Sequence, residues 1–190
     1  MKRVAVTGLG LITPVGLNTS QTWNALVDGK SGVTTITRFD ASAYPVQIAA
    51  EVKGFEPTQV IPPKEVKKMG LFIQYGVSAS AAALKDAGLP ERFTEENTNG
   101  IAPPDRVGVS VAAGIGGLPE IQFWDRELAG KEKKSVTPFF VPMIIPNMIS
   151  GHVSIMTNAQ GPNTCIATAC ASSAHAVGEA MRLIQLDKAD

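Results

Sequence analysis

The sequence predicts an α/β fold in which a largely parallel sheet is layered between helices. Two observations carry this expectation. Short apolar runs of strand character, Lys2–Thr7, Arg106–Ala113 and Asn163–Ala169, alternate with longer stretches of helical character. The chain has 190 residues, 44% of them hydrophobic. That is enough to bury one sizeable core, within the roughly 100–200 residues of a large domain. No low-complexity tract, short repeat or evident linker divides it.

Each element has a local reason. KRVAVT reads as a short first strand ending in glycine. Asn18 or Thr19 can cap a helix carrying Trp23, Leu26 and Val27 on one face, stopped by Gly29. Residues 30–63 are rich in turn formers and offer one strand candidate, Val46–Val52. Lys64–Ala87 reads as one long helix, basic in its first turn and closed by Gly88 and Pro90. Its later turns, VSASAAALKDAG, are nearly all small, so another backbone can approach closely. Residues 91–105 read as a surface loop. Arg106–Ala113 is a buried-type strand followed by GIGGLP, and Pro119 suits the first turn of a helix through Leu128. Asn147–Thr157 is a further helix. Two prolines four apart, Pro142 and Pro146, require the helix to start near the second or bend there. Asn163–Ala169 is a strand, and Cys170–Leu186 a helix.

Composition excludes several functions. Seventeen basic and 17 acidic residues balance, so the chain as a whole has no field for nucleic acid or an anionic membrane. The N-terminus, MKRVAVTGLGLITPVG, is broken early by glycines and Pro14 and lacks a cleavage site, unlike a secretory signal. No run approaches the roughly 20 apolar residues of a membrane span. Two cysteines five apart make neither a disulfide framework nor a zinc site. A cytoplasmic protein with free thiols is expected. GLGLITPVG has Thr13 where a dinucleotide loop needs its third glycine, so a closely packed turn is the better reading. GIGG lacks the Lys-Ser/Thr of a phosphate cradle.

The chemistry concentrates in residues 161–180, GPNTCIATACASSAHAVGEA. A strand feeding a helix places Cys170 at the helix N-terminus, where unpaired N–H groups and the dipole favour a thiolate. Free cysteine titrates near pH 8.5, and helix N-termini lower this to about 3.5–7.5. The same N–H groups can hold the oxyanion formed when a thiolate attacks a carbonyl. Ala169, Ala171, Ser172 and Ser173 are small and leave room for a substrate. Position and neighbours alone leave two readings open: an activated nucleophile, or a small buried hydrophobe. Cys165, inside the strand, reads as structural. His152 reads as a packed helix residue. His175 lies five residues beyond Cys170 on the same helix, so it is expected to point about 140° away from the sulfur.

That segment closely resembles the nucleophile motif of the β-ketoacyl-[acyl-carrier-protein] synthases, the condensing enzymes of fatty-acid synthesis. VAVTGLGLITPVG, GIGGL, TPFFVP and NMISGHVSIMTNAQGPN resemble further motifs of that family in the same order and spacing. The resemblance covers residues 1–190 and is closest to the elongating, type II synthase of bacteria. It implies a thiolase-like, layered α-β-α fold with a mixed, largely parallel sheet. It implies an acyltransferase in which Cys170 accepts an acyl group from acyl carrier protein and its backbone N–H forms half of an oxyanion hole. A malonyl thioester then loses CO₂, and its carbanion attacks the acyl-cysteine. Ile115 matches the residue that gates chain length, and Phe140 the aromatic that closes the pocket from a neighbouring subunit; Ala169 adjoins the same pocket. Lys64, Lys67 and Lys68, with Lys131, Lys133 and Lys134, match the docking surface for the acidic carrier protein, although each lysine alone reads as solvated surface. A homodimer pairing through the strand at Pro162–Ala169, with no metal or organic cofactor, is implied by the resemblance.

The sequence departs from the family in two respects, Pro146 in VPMIIPNM and the missing part of the condensing machinery. The two histidines and the lysine of the condensing step are not matched here, nor is the second oxyanion donor. The chain is therefore expected to be the N-terminal half of the duplicated fold, ending before its last strand, and to condense nothing alone. Two rivals are a polyketide ketosynthase, against which the simple start at Met1 is read, and a non-catalytic partner subunit, against which Cys170 counts.

Overall fold

The computed structural model describes residues 2–96, 101–130 and 135–190. The first helix, α1 (Thr19–Val27), starts at Asn18, whose Oδ1 accepts the Gln21 N–H at 2.8 Å. It ends before Gly29, at φ +66°. Its inward face is not the expected apolar one. Thr22 and Ala25 are buried, whereas Trp23, Leu26 and Val27 are exposed. The turn at Thr13–Gly16 explains this. A Cβ on Gly16 would lie 2.5 Å from the Thr22 nitrogen. At that approach only small side chains fit between helix and turn, and Thr13 and Thr22 share a hydroxyl–hydroxyl bond of 3.1 Å.

The N-terminal segment also departs from expectation. Lys2–Thr7 forms no ladder with any described residue, and Val6 is 77% exposed. A strand exists only through its neighbour, however suitable its own residues. β1 (Val33–Thr35) and β2 (Ile48–Ala50) form a short antiparallel ribbon, narrower than the Val46–Val52 candidate. Just past it, the buried Glu51 carboxylate accepts the Thr37 N–H and hydroxyl and the Arg38 N–H. These donors hold its carboxyl below the ordinary range, the Thr37 side chain most of all.

The expected helix Lys64–Ala87 is two helices, α2 (Pro63–Val66) and α3 (Leu71–Asp86). The break is set by a distant contact. Gly70 adopts an extended conformation, and a Cβ there would lie 2.5 Å from the Met143 carbonyl oxygen. Gln74 bonds back to the freed carbonyls of Val66 and Met69. The small residues of α3 are used as expected. A Cβ on Gly8 would sit 2.3 Å from the Ala83 carbonyl oxygen, and one on Gly10 2.0 Å from that of Ala79. The GLGL segment therefore lies directly on the helix backbone, and the Leu9 N–H donates to Asp86 at 2.8 Å.

β3 (Val109–Ala112) and β4 (Asn163–Ile166) run parallel, with Val109 opposite Asn163 and Val111 opposite Cys165. Both are shorter than expected, because Pro104–Arg106 is a 3₁₀ turn and the chain bends after Ile166. Among the described residues these strands pair only with each other. α4 (Leu118–Ala129) carries Pro119 in its first turn as expected. α5 (Phe140–Ile144) and α6 (Met148–Thr157) are separated by Ile145, extended at ψ 132°, the conformation favoured before proline. Pro146 thus divides two helices rather than bending one. Asn158, at φ +58°, caps α6, and its amide donates to the carbonyl of the buried Phe93. α7 (Ser172–Gln185) covers one face of β3 and β4, α6 covers the other, and α3 packs behind α6. The core lies there: Ile61, Met69, Ile73, Val77, Ile149 and Val153 pack against Val109. At the C-terminal end, Arg106 binds Asp187 at 3.1 Å and Asp190 at 2.7 Å.

No helix among the described residues is long and apolar enough to cross a membrane.

Candidate active site

The β4–α7 junction is tighter than a strand running straight into a helix. Thr168 leaves the strand direction, Ala169–Ala171 form one 3₁₀ turn, and α7 begins at Ser172. Cys170 occupies the middle of that turn and is exposed. Cys165, in β4, is partly covered. Burial pushes its thiol up, away from reactivity, against a weaker opposing pull from a backbone bond with Ala113. Cys165 is thus the more covered of the two thiols.

Several contacts fix the turn. Ala169 is at φ +51°, a left-handed conformation that a residue with a Cβ rarely adopts. The Ser172 hydroxyl, on a residue only 3% exposed, accepts the Thr168 N–H at 2.7 Å and donates to the Ala169 carbonyl at 2.7 Å. The Thr168 hydroxyl meets His175 Nδ1 at 2.8 Å. The sequence reading treats Ser172 only as a small neighbour and places His175 by a helical wheel. Cys170 precedes α7, so the 3.6-residue period does not connect the two. His175 turns to Thr168. The signal that could have flagged this network is hydroxyl residues four apart, Thr168 and Ser172, spanning a strand–helix corner.

The GIGG loop follows β3 and stands beside the turn. A Cβ on Gly114 would lie 3.7 Å from the Ala169 carbonyl oxygen. Gly116, at φ +95°, and Gly117 both press against Ile144 of α5, and the Gly117 N–H donates to the Ile144 carbonyl at 3.0 Å. Ile115, between them, is 71% exposed. It lines a groove of about 780 Å³, whose walls also include Gly10, Phe72, Ile149 and Ser173. Cys170, Ala169 and Phe140 do not line that groove. Phe140 opens α5 and packs edge-on against Trp124, with centroids 6.5 Å apart. The structure thus sets Ala169 beside the GIGG loop and links that loop to α5, while Phe140 faces Trp124.

His152 is half-buried in α6. Its Nε2 lacks a hydrogen-bond partner, and burial pushes its imidazole below 6.5. That supports the reading of a packed residue. Lys64 and Lys67 are exposed. Lys68 is engaged, with Glu65 at 2.7 Å and the Phe139 ring 5.4 Å from its ammonium. Lys131, Lys133 and Lys134 lie outside the described residues. Among the described residues, no three His, Cys, Asp or Glu side chains are placed to hold a metal ion.

Comparison with known proteins identifies the family and the fold. The model of the beta-ketoacyl synthase N-terminal domain matches residues 1–190. The 3-oxoacyl-[acyl-carrier-protein] synthase 2 of Vibrio harveyi is 43% identical over 189 residues, 100% of this chain and 44% of that protein. Its counterpart in Coxiella burnetii is 44% identical with the same coverage. A solved beta-ketoacyl synthase from Burkholderia phymatum superposes with a TM-score of 0.78 at 27% identity, covering 100% of this chain and 45% of that one. The ishigamide ketosynthase/chain length factor gives 0.80 at 27% identity, covering 97% and 44%. The chain spans less than half the length of these curated relatives. With its thiolase-like frame and a match running from residue 1 to residue 190, the chain belongs to the β-ketoacyl synthase family, whose N-terminal domain it carries.

Proposed function

We propose that this domain supplies the acyl-accepting half of a 3-oxoacyl-[acyl-carrier-protein] synthase of fatty acid biosynthesis. The thiolate of Cys170 attacks the carbonyl carbon of an acyl-carrier thioester. The carrier thiolate leaves and takes up a proton, and the acyl group remains as a thioester on Cys170. Its own N–H is one donor to the oxyanion formed on the way. In the complete reaction a malonyl-carrier thioester loses CO₂, its carbanion bonds to the acyl carbon, and the Cys170 thiolate is released with a 3-oxoacyl product two carbons longer. The groups that assist decarboxylation lie outside these 190 residues, so this chain alone is acylated without condensing.

The observation that supports this most is the exposed thiol of Cys170 on a tightly tied turn, in a chain matched along its whole length by 3-oxoacyl-[acyl-carrier-protein] synthases. Identity of 43–44% to those enzymes, against 27% to the ishigamide ketosynthase, favours the fatty-acid reading over the polyketide one. Ile115 limits chain length and Phe140 closes the pocket of a partner subunit. Lys64 and Lys67 meet the acidic carrier; Lys133 and Lys134, outside the described residues, are assigned the same role. The protein works as a cytoplasmic homodimer, paired along the open side of β4, without metal or organic cofactor.

The test is intact-mass analysis after incubation with acyl carrier protein bearing a saturated acyl chain. One acyl group is expected, located on Cys170 by peptide mapping and absent from Cys170→Ala. Acylation elsewhere, or none, would refute the assignment.

A further inference from the structure

We propose that Ser172 is the positioning residue of the nucleophile turn, holding Ala169 in the left-handed conformation that presents Cys170. The inference builds on the acyl-transfer reading above. Cys170 follows Ala169 directly, so the φ and ψ of Ala169 decide where the Cys170 Cα–Cβ bond points. Among the described residues, three non-glycine residues have positive φ: Asn158, Ala169 and Asp187. Asn and Asp tolerate that region through local side-chain hydrogen bonds, and alanine has none to make. The support has to come from elsewhere in the turn.

One hydroxyl supplies it from both sides. Ser172 Oγ accepts the N–H of the residue before Ala169 and donates to the carbonyl of Ala169 itself, both at 2.7 Å. The Ser172 N–H donates to that same carbonyl. Ser172 is buried, so water does not readily replace these bonds. Thr168 is tied a second time, through its hydroxyl, to His175 one turn along α7. Helix α7 is anchored to the sheet by the Ser110 hydroxyl, which donates to the Ala176 carbonyl at 2.9 Å. A chain of contacts thus runs from β3 through α7 to the backbone on either side of Ala169. None of these side chains is required to touch the reacting carbonyl.

The experiment uses the 190-residue chain and iodoacetamide as the thiol probe, with mass-spectrometric readout at Cys170 and Cys165. Folding of each variant is checked by circular dichroism. Ser172→Ala should slow Cys170 alkylation by about tenfold or more, as expected when a reacting group is misplaced by a fraction of an ångström, and leave Cys165 unchanged. Ser172→Thr keeps the hydroxyl and should react within about threefold of the parent, whereas Ser172→Val, the same shape as that threonine variant without its hydroxyl, should behave like alanine. In acyl transfer from the carrier, Ser172→Ala should lower the maximal rate and leave half-saturation unchanged. Native-state hydrogen exchange of the parent protein gives a measurement that needs no variant: the Thr168 amide should be protected. Parent-like alkylation in Ser172→Ala or Ser172→Val, a threonine variant as slow as alanine, or an unprotected Thr168 amide would each overturn the proposal. If the parent Cys170 is never acylated by the carrier, the enzyme assignment fails, and the alkylation ratios still decide the role of Ser172.

Discussion

Replacing Gly10 with alanine should destabilise the protein sharply, whereas the same change at Gly178 should not. The new Cβ at position 10 would stand 2.0 Å from the Ala79 carbonyl oxygen and 2.6 Å from the Ala83 nitrogen. Ordinary carbon contacts begin near 3.5 Å, so the segment must retreat from α3 by more than 1 Å. Both obstacles are backbone atoms of a packed helix and cannot rotate away. Overpacking of this kind costs about 1–3 kcal/mol, and the upper end applies where backbone must move. At roughly 2–4 °C per kcal/mol for a chain of this length, the melting temperature should fall by about 5–10 °C. Gly178, inside α7, has no atom within 4 Å of an added Cβ. There alanine should add about 0.5–1 kcal/mol through the lost backbone freedom of glycine. Thermal and urea unfolding of the two variants, side by side, measure both signs. A Gly10→Ala variant within about 0.5 kcal/mol of the parent, the range of neutral surface changes, would refute the claim that GLGL lies on bare helix backbone.

Two pH dependences follow from the charged groups. Lys2, and after it Arg106, hold Asp187 below its ordinary value of 3.8, and Arg106 does the same for Asp190, chiefly through side-chain hydrogen bonds. Their contribution is full above that value and is lost as pH falls through the lower folded values. Arg106→Gln should therefore be less stable than the parent at neutral pH, and the gap should narrow toward about pH 2 in urea titrations; a gap independent of pH would count against the ion pairs. His152 has the opposite sense: burial, with a smaller push from Lys68 and an opposing pull from Glu65, disfavours its charged form. Its proton NMR titration should have a midpoint below 6.5, and stability should decline as pH drops beneath that value. A midpoint above 6.5 would show that the ring is not desolvated.

Features whose cause is local are legible in the sequence. The Asn18 cap, the Gly29 stop, Pro119 at a helix start and Pro146 between helices each depend on two or three neighbouring residues. The exposed corner position of Cys170 was legible as well, because a thiol among small residues where a strand gives way to a helix depends only on its neighbours. The failures are nonlocal. Nothing near Gly70 reveals that Met143 will pass 2.5 Å from where its Cβ would be. Apolar spacing in α1 predicts an inward Trp23, but a turn pressed against the helix admits only Thr22 and Ala25. Lys2–Thr7 has strand residues without a strand neighbour. Ser172 looks like filler until Thr168 and Ala169 are seen bonded to it.

Among the described residues β3 and β4 pair as strands only with each other, and the groove beside β3 is walled by the segment that carries Gly10. Bare strand margins recruit whatever extended peptide is nearest, and at high concentration the nearest is another copy of the same molecule. For this domain, staying dispersed and being correctly capped become a single requirement. Recovery from a concentrated preparation should accordingly depend on how quickly a proper neighbour occupies those margins.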